Sequence, residues 1–241
     1  MSKQTVLITG ANKGIGLETA GQLAKAGYHI LLGSRSRENG ERAVEQLRSE
    51  GLEAVELIVI DVTDEQSVQQ AHDVIAGRFG KLDVLINNAG IPGVFTETPS
   101  NTSDAHIKNV FETNVFGVVR TIRIFMELLK KADQPRIVNV SSDLASLTLH
   151  NDPDWEFYQF KSAVYGPSKT ALNAYTVALA FELRESFKVN MVNPGYTSTE
   201  FNQHRGTKKV EDAARIIVQY AMLDENGPTG KFVSDYGETP W

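Results

Sequence analysis

Short apolar runs rich in β-branched residues recur along the chain at Thr5–Thr9, His29–Leu32, Ala54–Ile60, Asp83–Ile86, Arg136–Val140, Lys188–Val192 and Lys231–Val233. Between most of them lie stretches whose apolar positions repeat at helical spacing: Ile15–Ala26, Glu38–Glu50, Glu65–Phe79 and Ala163–Glu185. The strand-length runs are nearly continuously apolar rather than alternating. That predicts a sheet covered on both faces, and the regular alternation with helices predicts parallel connections. No linker, low-complexity tract or internal repeat breaks the rhythm. Residues 1–241 therefore read as one α/β domain, doubly wound around a mostly parallel, seven-stranded sheet. The least regular stretch is Asp143–Ser162, rich in Asp, aromatic and polar residues.

Composition narrows the possibilities without choosing among them. A chain of 241 residues with 41% hydrophobic and 22% charged content is ordinary for a soluble globular protein. A net charge of -6 argues against a general nucleic-acid binder or a basic membrane-surface protein. No apolar run approaches the ~20 residues of a membrane span, and the N-terminus lacks a signal-peptide pattern, so a cytoplasmic location is expected. The absence of cysteine removes disulfides, thiolate metal sites and cysteine nucleophiles together. The five histidines are scattered with no pair at ligand spacing, and no metal centre is expected.

Chemistry gathers at the strand ends. TGANKGIG, residues 9–16, follows the first strand and opens the first helix. Glycines at 10, 14 and 16 let backbone approach a pyrophosphate at the helix N-terminus, where free N–H groups and the helix dipole favour an anion. They could equally serve only a tight turn and close helix packing. The spacing differs from G-x-G-x-x-G, and no Lys-Ser/Thr follows as a phosphate loop of an NTPase requires. Further along, NNAG (87–90) follows DVLI, NVSS (139–142) ends PRIV, YGPSK (165–169) opens a helix, and NPG (193–195) follows KVNMV. In a parallel sheet these ends lie on one edge and converge on one crevice. Tyr165 and Lys169, spaced i and i+4, share a helix face, and a nearby ammonium favours the ionised phenol.

Taken together and in this order, the motifs resemble the short-chain dehydrogenase/reductase family in its ordinary-length branch, from Thr5 to at least Thr199. The resemblance implies a Rossmann fold binding a nicotinamide nucleotide. It implies a catalytic set of Asn114, Ser142, Tyr165 and Lys169. Tyr165 would be the general acid–base, Lys169 would lower its pKa and hold the ribose, Ser142 would bond the reacting carbonyl, and Asn114 would support Lys169 through water. The cofactor would lie on Gly10, Asn12, Lys13, Gly14, Ile15 and Gly16 of the first turn, on Asn88, Ala89 and Gly90, and on Pro194, Gly195 and Thr197. Asp61 and Val62 resemble the pair lining the adenine pocket, although Asp61 could also cap a helix. An acidic residue at the end of the second strand marks a cofactor without a 2′-phosphate. Here that strand ends in Ser34 and Arg35, so Arg35 with Lys13 points to NADPH/NADP+.

Substrate class rests on a length difference. Ser142 and Tyr165 are further apart than the family's usual dozen or so residues, by roughly ten. The added stretch brings Trp155, Phe157, Tyr158 and Phe160 towards the crevice. An insertion at this point, the lysine-bearing glycine turn and the C-terminal GPTGKFVSDYGETPW resemble the NADPH-dependent carbonyl reductases. A small-molecule ketone or aldehyde, bulky or aromatic, is the expected substrate, with no nucleic-acid or membrane partner. An alcohol dehydrogenase, a 3-oxoacyl-carrier reductase and a non-catalytic NADP sensor remain alternatives on the same fold. The aromatics could instead form a small satellite core. Segment 143–162 is further expected to cover the outer face of the Tyr165 helix and its neighbour, which would favour a monomer, with a homo-oligomer still open.

Overall fold

The computed structural model describes residues 3–94 and 96–241. The strands are β1 (Thr5–Ile8), β2 (His29–Ser34), β3 (Val55–Val59), β4 (Val84–Asn87), β5 (Arg136–Val140), β6 (Lys188–Val192), β7 (Phe232–Ser234) and β8 (Gly237–Glu238). They form one sheet in the order β3-β2-β1-β4-β5-β6-β7-β8. All neighbours pair in parallel except β7 and β8, an antiparallel pair closed by a tight turn with Gly237 at φ 112. The sheet thus has eight strands where seven were expected; the extra one is two residues long, too short to leave an apolar signature. The order reverses between β1 and β4, which opens a crevice beyond the carboxyl ends of the strands.

The helices are α1 (Gly14–Lys25), α2 (Arg37–Ser49), α3 (Glu65–Phe79), α4 (Asp104–Phe111), α5 (Gly117–Leu129), α6 (Leu147–His150), α7 (Tyr165–Leu183) and α8 (Val210–Ala221). Ser36 and Asp64 cap α2 and α3 by accepting from Asn39 N and Gln66 N, and Gly80, at φ 70, ends α3. Side chains alternate across the sheet. Val6, Ile8, Ile30 and Leu32 pack with Leu23, Leu47 and Ile217, contributed by α1, α2 and α8. Leu7, Leu31, Leu85 and Ile137 pack on the other face with Ile75, Phe125 and Leu172, contributed by α3, α5 and α7. Two apolar layers explain why the strands read as unbroken runs. Among the described residues no helix is long and apolar enough to cross a membrane.

Segment 143–162 does not cover the outer faces of α5 and α7. Phe116, Val177 and Phe181 stand 52%, 43% and 69% exposed there. The segment instead folds back across the mouth of the crevice. Thr170 Oγ1 on α7 donates to Ala145 O at 2.9 Å, and Thr148 N donates to the C-terminal Trp241 O at 2.7 Å. Local caps start the bend, and those two bonds to distant residues hold it. Ser142 and Ser146 start successive short turns by accepting from Leu144 N and Leu149 N, which bends the chain immediately after β5.

Candidate active site

A cleft of about 840 Å³ occupies the crevice at the carboxyl edge of the sheet. The turn between β1 and α1 forms one wall, contributed by Gly10, Asn12, Lys13, Gly14, Ile15 and Gly16. Gly10 and Gly14 lie at φ +63 and +56. A Cβ on Gly10 would stand 2.9 Å from Ala89 Cα, and one on Gly16 would stand 2.5 Å from Asn88 Nδ2. Side chains are therefore excluded where the turn meets NNAG. The start of α1 carries no side-chain cap, Lys13 being the residue before it, so its first N–H groups remain open to an anion. Asn88 braces the turn by donating from Nδ2 to Thr9 O and Gly10 O at 2.9 and 3.0 Å.

Arg35, Asp61 and Val62 line the same wall. Ser34 does not. It is 1% exposed and its hydroxyl donates to Ser36 O at 2.8 Å, because its side chain alternates inwards at the end of β2. Asp61 accepts from Thr63 N and Oγ1 at 2.9 and 2.8 Å, and Asp64, not Asp61, caps α3. Lys13 Nζ forms an ion pair with Glu200 across the mouth. The cleft thus offers an anion cradle of free helix amides, close backbone and the Arg35 guanidinium, with Lys13 beside it held by Glu200, a donor set that suits a phosphorylated dinucleotide.

The same cleft holds Ser142, Tyr165 and Lys169, with Pro194, Gly195 and Thr197 also in its lining. Lys169 Nζ donates to Val140 O at 2.7 Å and lies 6.0 Å from the Tyr165 ring centroid. Burial pushes the Tyr165 phenol up to about 12, against a hydrogen bond with Ser142 that acts the other way. Burial likewise pushes Lys169 down to about 8. The expected lowering of Tyr165 by Lys169 is absent here: burial dominates, and Lys169 donates instead to the Val140 carbonyl.

Asn114 is fully buried behind the wall rather than in it. It sits in a π turn, Glu112–Phe116, between α4 and α5. Its Oδ1 accepts from Ile91 N at 2.9 Å, while Nδ2 donates to Ile91 O and to Ser168 Oγ at 3.0 Å each. A Cβ on Gly90 would stand 3.3 Å from Asn114 Oδ1 and 3.7 Å from Lys169 Nζ. Asn114 and Lys169 therefore flank the same glycine without bonding to each other.

Trp155, Phe157 and Phe160 line the cleft, whereas Tyr158 does not; its ring lies under Lys161 Nζ at 4.2 Å. Two further aromatic residues, Tyr196 and Phe201, complete the wall and went unnoticed in the sequence. The rings of Trp155 and Phe157, and then of Phe157 and Tyr196, meet edge to face at 5.6 Å, and Phe201 meets Tyr165 at 5.6 Å. Aromatic residues at 196 and 201, just beyond NPG in an otherwise polar loop, were the available signal.

Residues 4–210 match the family model for short chain dehydrogenase. The chain belongs to the short-chain dehydrogenase family. This short-chain dehydrogenase is 39% identical over 244 residues to short-chain dehydrogenase anuI of Penicillium roqueforti, covering 98% of this chain and 95% of the relative. Its fold superposes on salutaridine reductase from Papaver somniferum with a TM-score of 0.84 and 29% identity, over 97% and 100% of the two chains. It also superposes on an NADPH-bound carbonyl reductase from chicken fatty liver with a TM-score of 0.86 and 26% identity, over the whole of both chains. As a family member it is an oxidoreductase.

Proposed function

We propose that this short-chain dehydrogenase reduces the carbonyl group of a bulky, apolar ketone or aldehyde with NADPH. One observation carries the reading. Ser142, Tyr165 and Lys169 line a single cleft that also contains a glycine cradle with Arg35 and Lys13. The NADPH-bound carbonyl reductase with the same fold supports the choice of cofactor. Gly10, Gly14 and Gly16 with the open start of α1 would receive the pyrophosphate, Arg35 and Lys13 the 2′-phosphate, and Asp61 and Val62 the adenine. Asn88, Ala89, Gly90, Pro194, Gly195 and Thr197 would flank the nicotinamide half. When bound, the reduced nicotinamide supplies the hydride to the carbonyl carbon.

The chain's own residues supply the proton and the orientation. Tyr165, held protonated by burial, donates to the carbonyl oxygen and gives up its proton as that oxygen becomes an alcohol. Ser142 hydrogen-bonds the same oxygen and steadies the phenol. Lys169, anchored on Val140 O, holds the ribose and places its charge beside the developing phenolate. The aromatic wall excludes water and accepts a wide apolar body.

NADPH oxidation against aryl ketones, cyclic ketones, aldehydes and an acyl thioester tests the reaction; turnover of the cyclic and aryl ketones is expected. Binding of NADPH without turnover of any of them would favour a sensor. Arg35→Ala should weaken NADPH by roughly ten- to hundred-fold and leave NADH nearly unchanged. Equal losses for both would mean that Arg35 supports the loop and reads no phosphate.

A further inference from the structure

We infer that Asp143 is a positioning residue of the active site, tying the serine-bearing end of β5 to the Asn193–Gly195 turn and, through Tyr236, to the C-terminal hairpin. The inference rests on the proposed reading, in which Ser142 meets the carbonyl and the 193–195 turn meets the nicotinamide.

The geometry is specific. Asp143 follows Ser142 directly and lines the cleft with Asn193, Pro194 and Gly195. A single oxygen, Oδ1, accepts from Asn193 Nδ2 and from the Tyr236 hydroxyl. Those two donors lie 3.3 Å from each other. Asn193 is 1% exposed, and its own Oδ1 accepts from Gly195 N at 3.0 Å, fixing a glycine at φ +80. Tyr236 sits in the tight turn between β7 and β8, where its N donates to Ser234 Oγ at 3.3 Å. One carboxylate therefore gathers three strand ends at the point where substrate and nicotinamide would meet. It also gives the C-terminal hairpin a task inside the site.

An uncharged acceptor could receive the same two bonds, so the carboxylate needs a reason. Burial pushes the Asp143 carboxyl up from its ordinary value, and the nearby Glu156 and Asp235 carboxylates push the same way. Lys208 offsets Asp235 by an ion pair at 2.7 Å. The donors facing Asp143, the Asn193 amide and the Tyr236 hydroxyl, favour the ionised form. A group whose folded pKa is raised costs stability once it ionises, so this charge is held against the fold's preference. In return, charge-assisted bonds are shorter and roughly twice as strong as neutral ones, which tightens the turn beside Ser142.

The test compares the protein with Asp143→Asn, Asp143→Ala and Tyr236→Phe from about pH 4 to 8. It reads kcat/KM for a ketone, NADPH affinity by cofactor fluorescence, and Tm. The unmutated protein should show a one-proton acid limb in kcat/KM and in NADPH affinity, shifted upward from that of an ordinary aspartate. Asp143→Asn keeps the acceptor oxygen but not the charge, so at pH 7 it should sit at the level the unmutated protein reaches at the foot of its limb, lose the limb, and match or exceed the original Tm. Asp143→Ala should lose about tenfold in kcat/KM at pH 7, and Tyr236→Phe less. The inference is overturned if Asp143→Ala keeps full kcat/KM and NADPH affinity, or if Asp143→Asn retains the limb. It is equally overturned if both Asp143 variants lose Tm and activity in parallel. Should no carbonyl be reduced at all, the proposed reaction fails, and the pH dependence of NADPH binding decides the role of Asp143 alone.

Discussion

Helices α7 and α8 lie on opposite faces of the sheet and are buried by different means. The inward face of α8 is Ala213, Ala214, Ile216, Ile217 and Ala221, small and branched apolar residues packed with the first apolar layer. The inward face of α7 includes Ser168, Lys169, Asn173 and Thr176, all buried. Each is paired: Ser168 with Asn114 at 3.0 Å, Asn173 with Ser141 at 2.7 Å, Thr176 with Asn139 at 2.8 Å, and Lys169 with Val140 O. Apolar packing rewards volume and tolerates small slides, whereas hydrogen bonds in a dry interior fix one register. The helix that carries Tyr165 adds bonds to the apolar packing of Leu172, Leu179 and Ala180; the helix on the other face is docked by volume.

The sharpest way to break this contrast is at its chemical end. Tyr165→Phe should lower turnover by about 10²–10⁴-fold, the usual worth of a general acid, with NADPH affinity and Tm nearly unchanged. Near-normal turnover would remove Tyr165 from its role and α7 from its privilege. On α8, Ile217→Ala should cost about 2–5 kcal/mol in urea unfolding while leaving kcat of the folded fraction intact. Asn173→Ala leaves the Ser141 hydroxyl unpaired, so it should cost about 1–3 kcal/mol. Unlike Ile217→Ala, it should also depress kcat, because the register of Tyr165 loosens. If kcat separates the two variants in the opposite sense, bonds and volume are interchangeable here.

The remaining check is a titration. Lys169 releases its proton at about 8 in the folded protein against 10.5 for an ordinary lysine. Between those values the unfolded chain binds a proton that the folded chain does not, so stability rises with pH through that window. NADPH affinity should fall over the same range as the charge beside the ribose is lost. Urea midpoints and fluorescence titrations of the protein and of Lys169→Met give the check: the variant should be flat in both.

Much of this was legible in the chain. Val6–Ile8, Leu31 and Ile137 announced buried strands because two covered faces leave no polar alternation. The glycines of residues 10–16 and the spacing of Tyr165 and Lys169 pointed to residues that line one cleft. Single side-chain orientations were less legible. Ser34 turns inwards by strand alternation, and Tyr158 turns out under Lys161 although Trp155 and Phe157 line the cleft. Bonds between distant positions were not legible at all: Tyr236 meets Asp143 across 93 positions, and nothing local to either residue signals the other. The course of segment 143–162 failed for the same reason, being set by contacts with Trp241 and Thr170 rather than by its own periodicity.

The π turn at Glu112–Phe116 works as a phase shifter. Gly117 N reaches back five residues to Glu112 O, so one residue more than an α-helix would hold is taken up between α4 and α5. One residue is about 100° of helical rotation. Without that extra residue, the inward face of α5, with Val118, Ile122 and Phe125, would be out of step with Val110 on α4. With it, both apolar faces look at the core and an asparagine is inserted between them, fully buried, with all three of its bonds made inside the protein. A polar group is thus carried into the interior without either helix giving up its own hydrophobic seam.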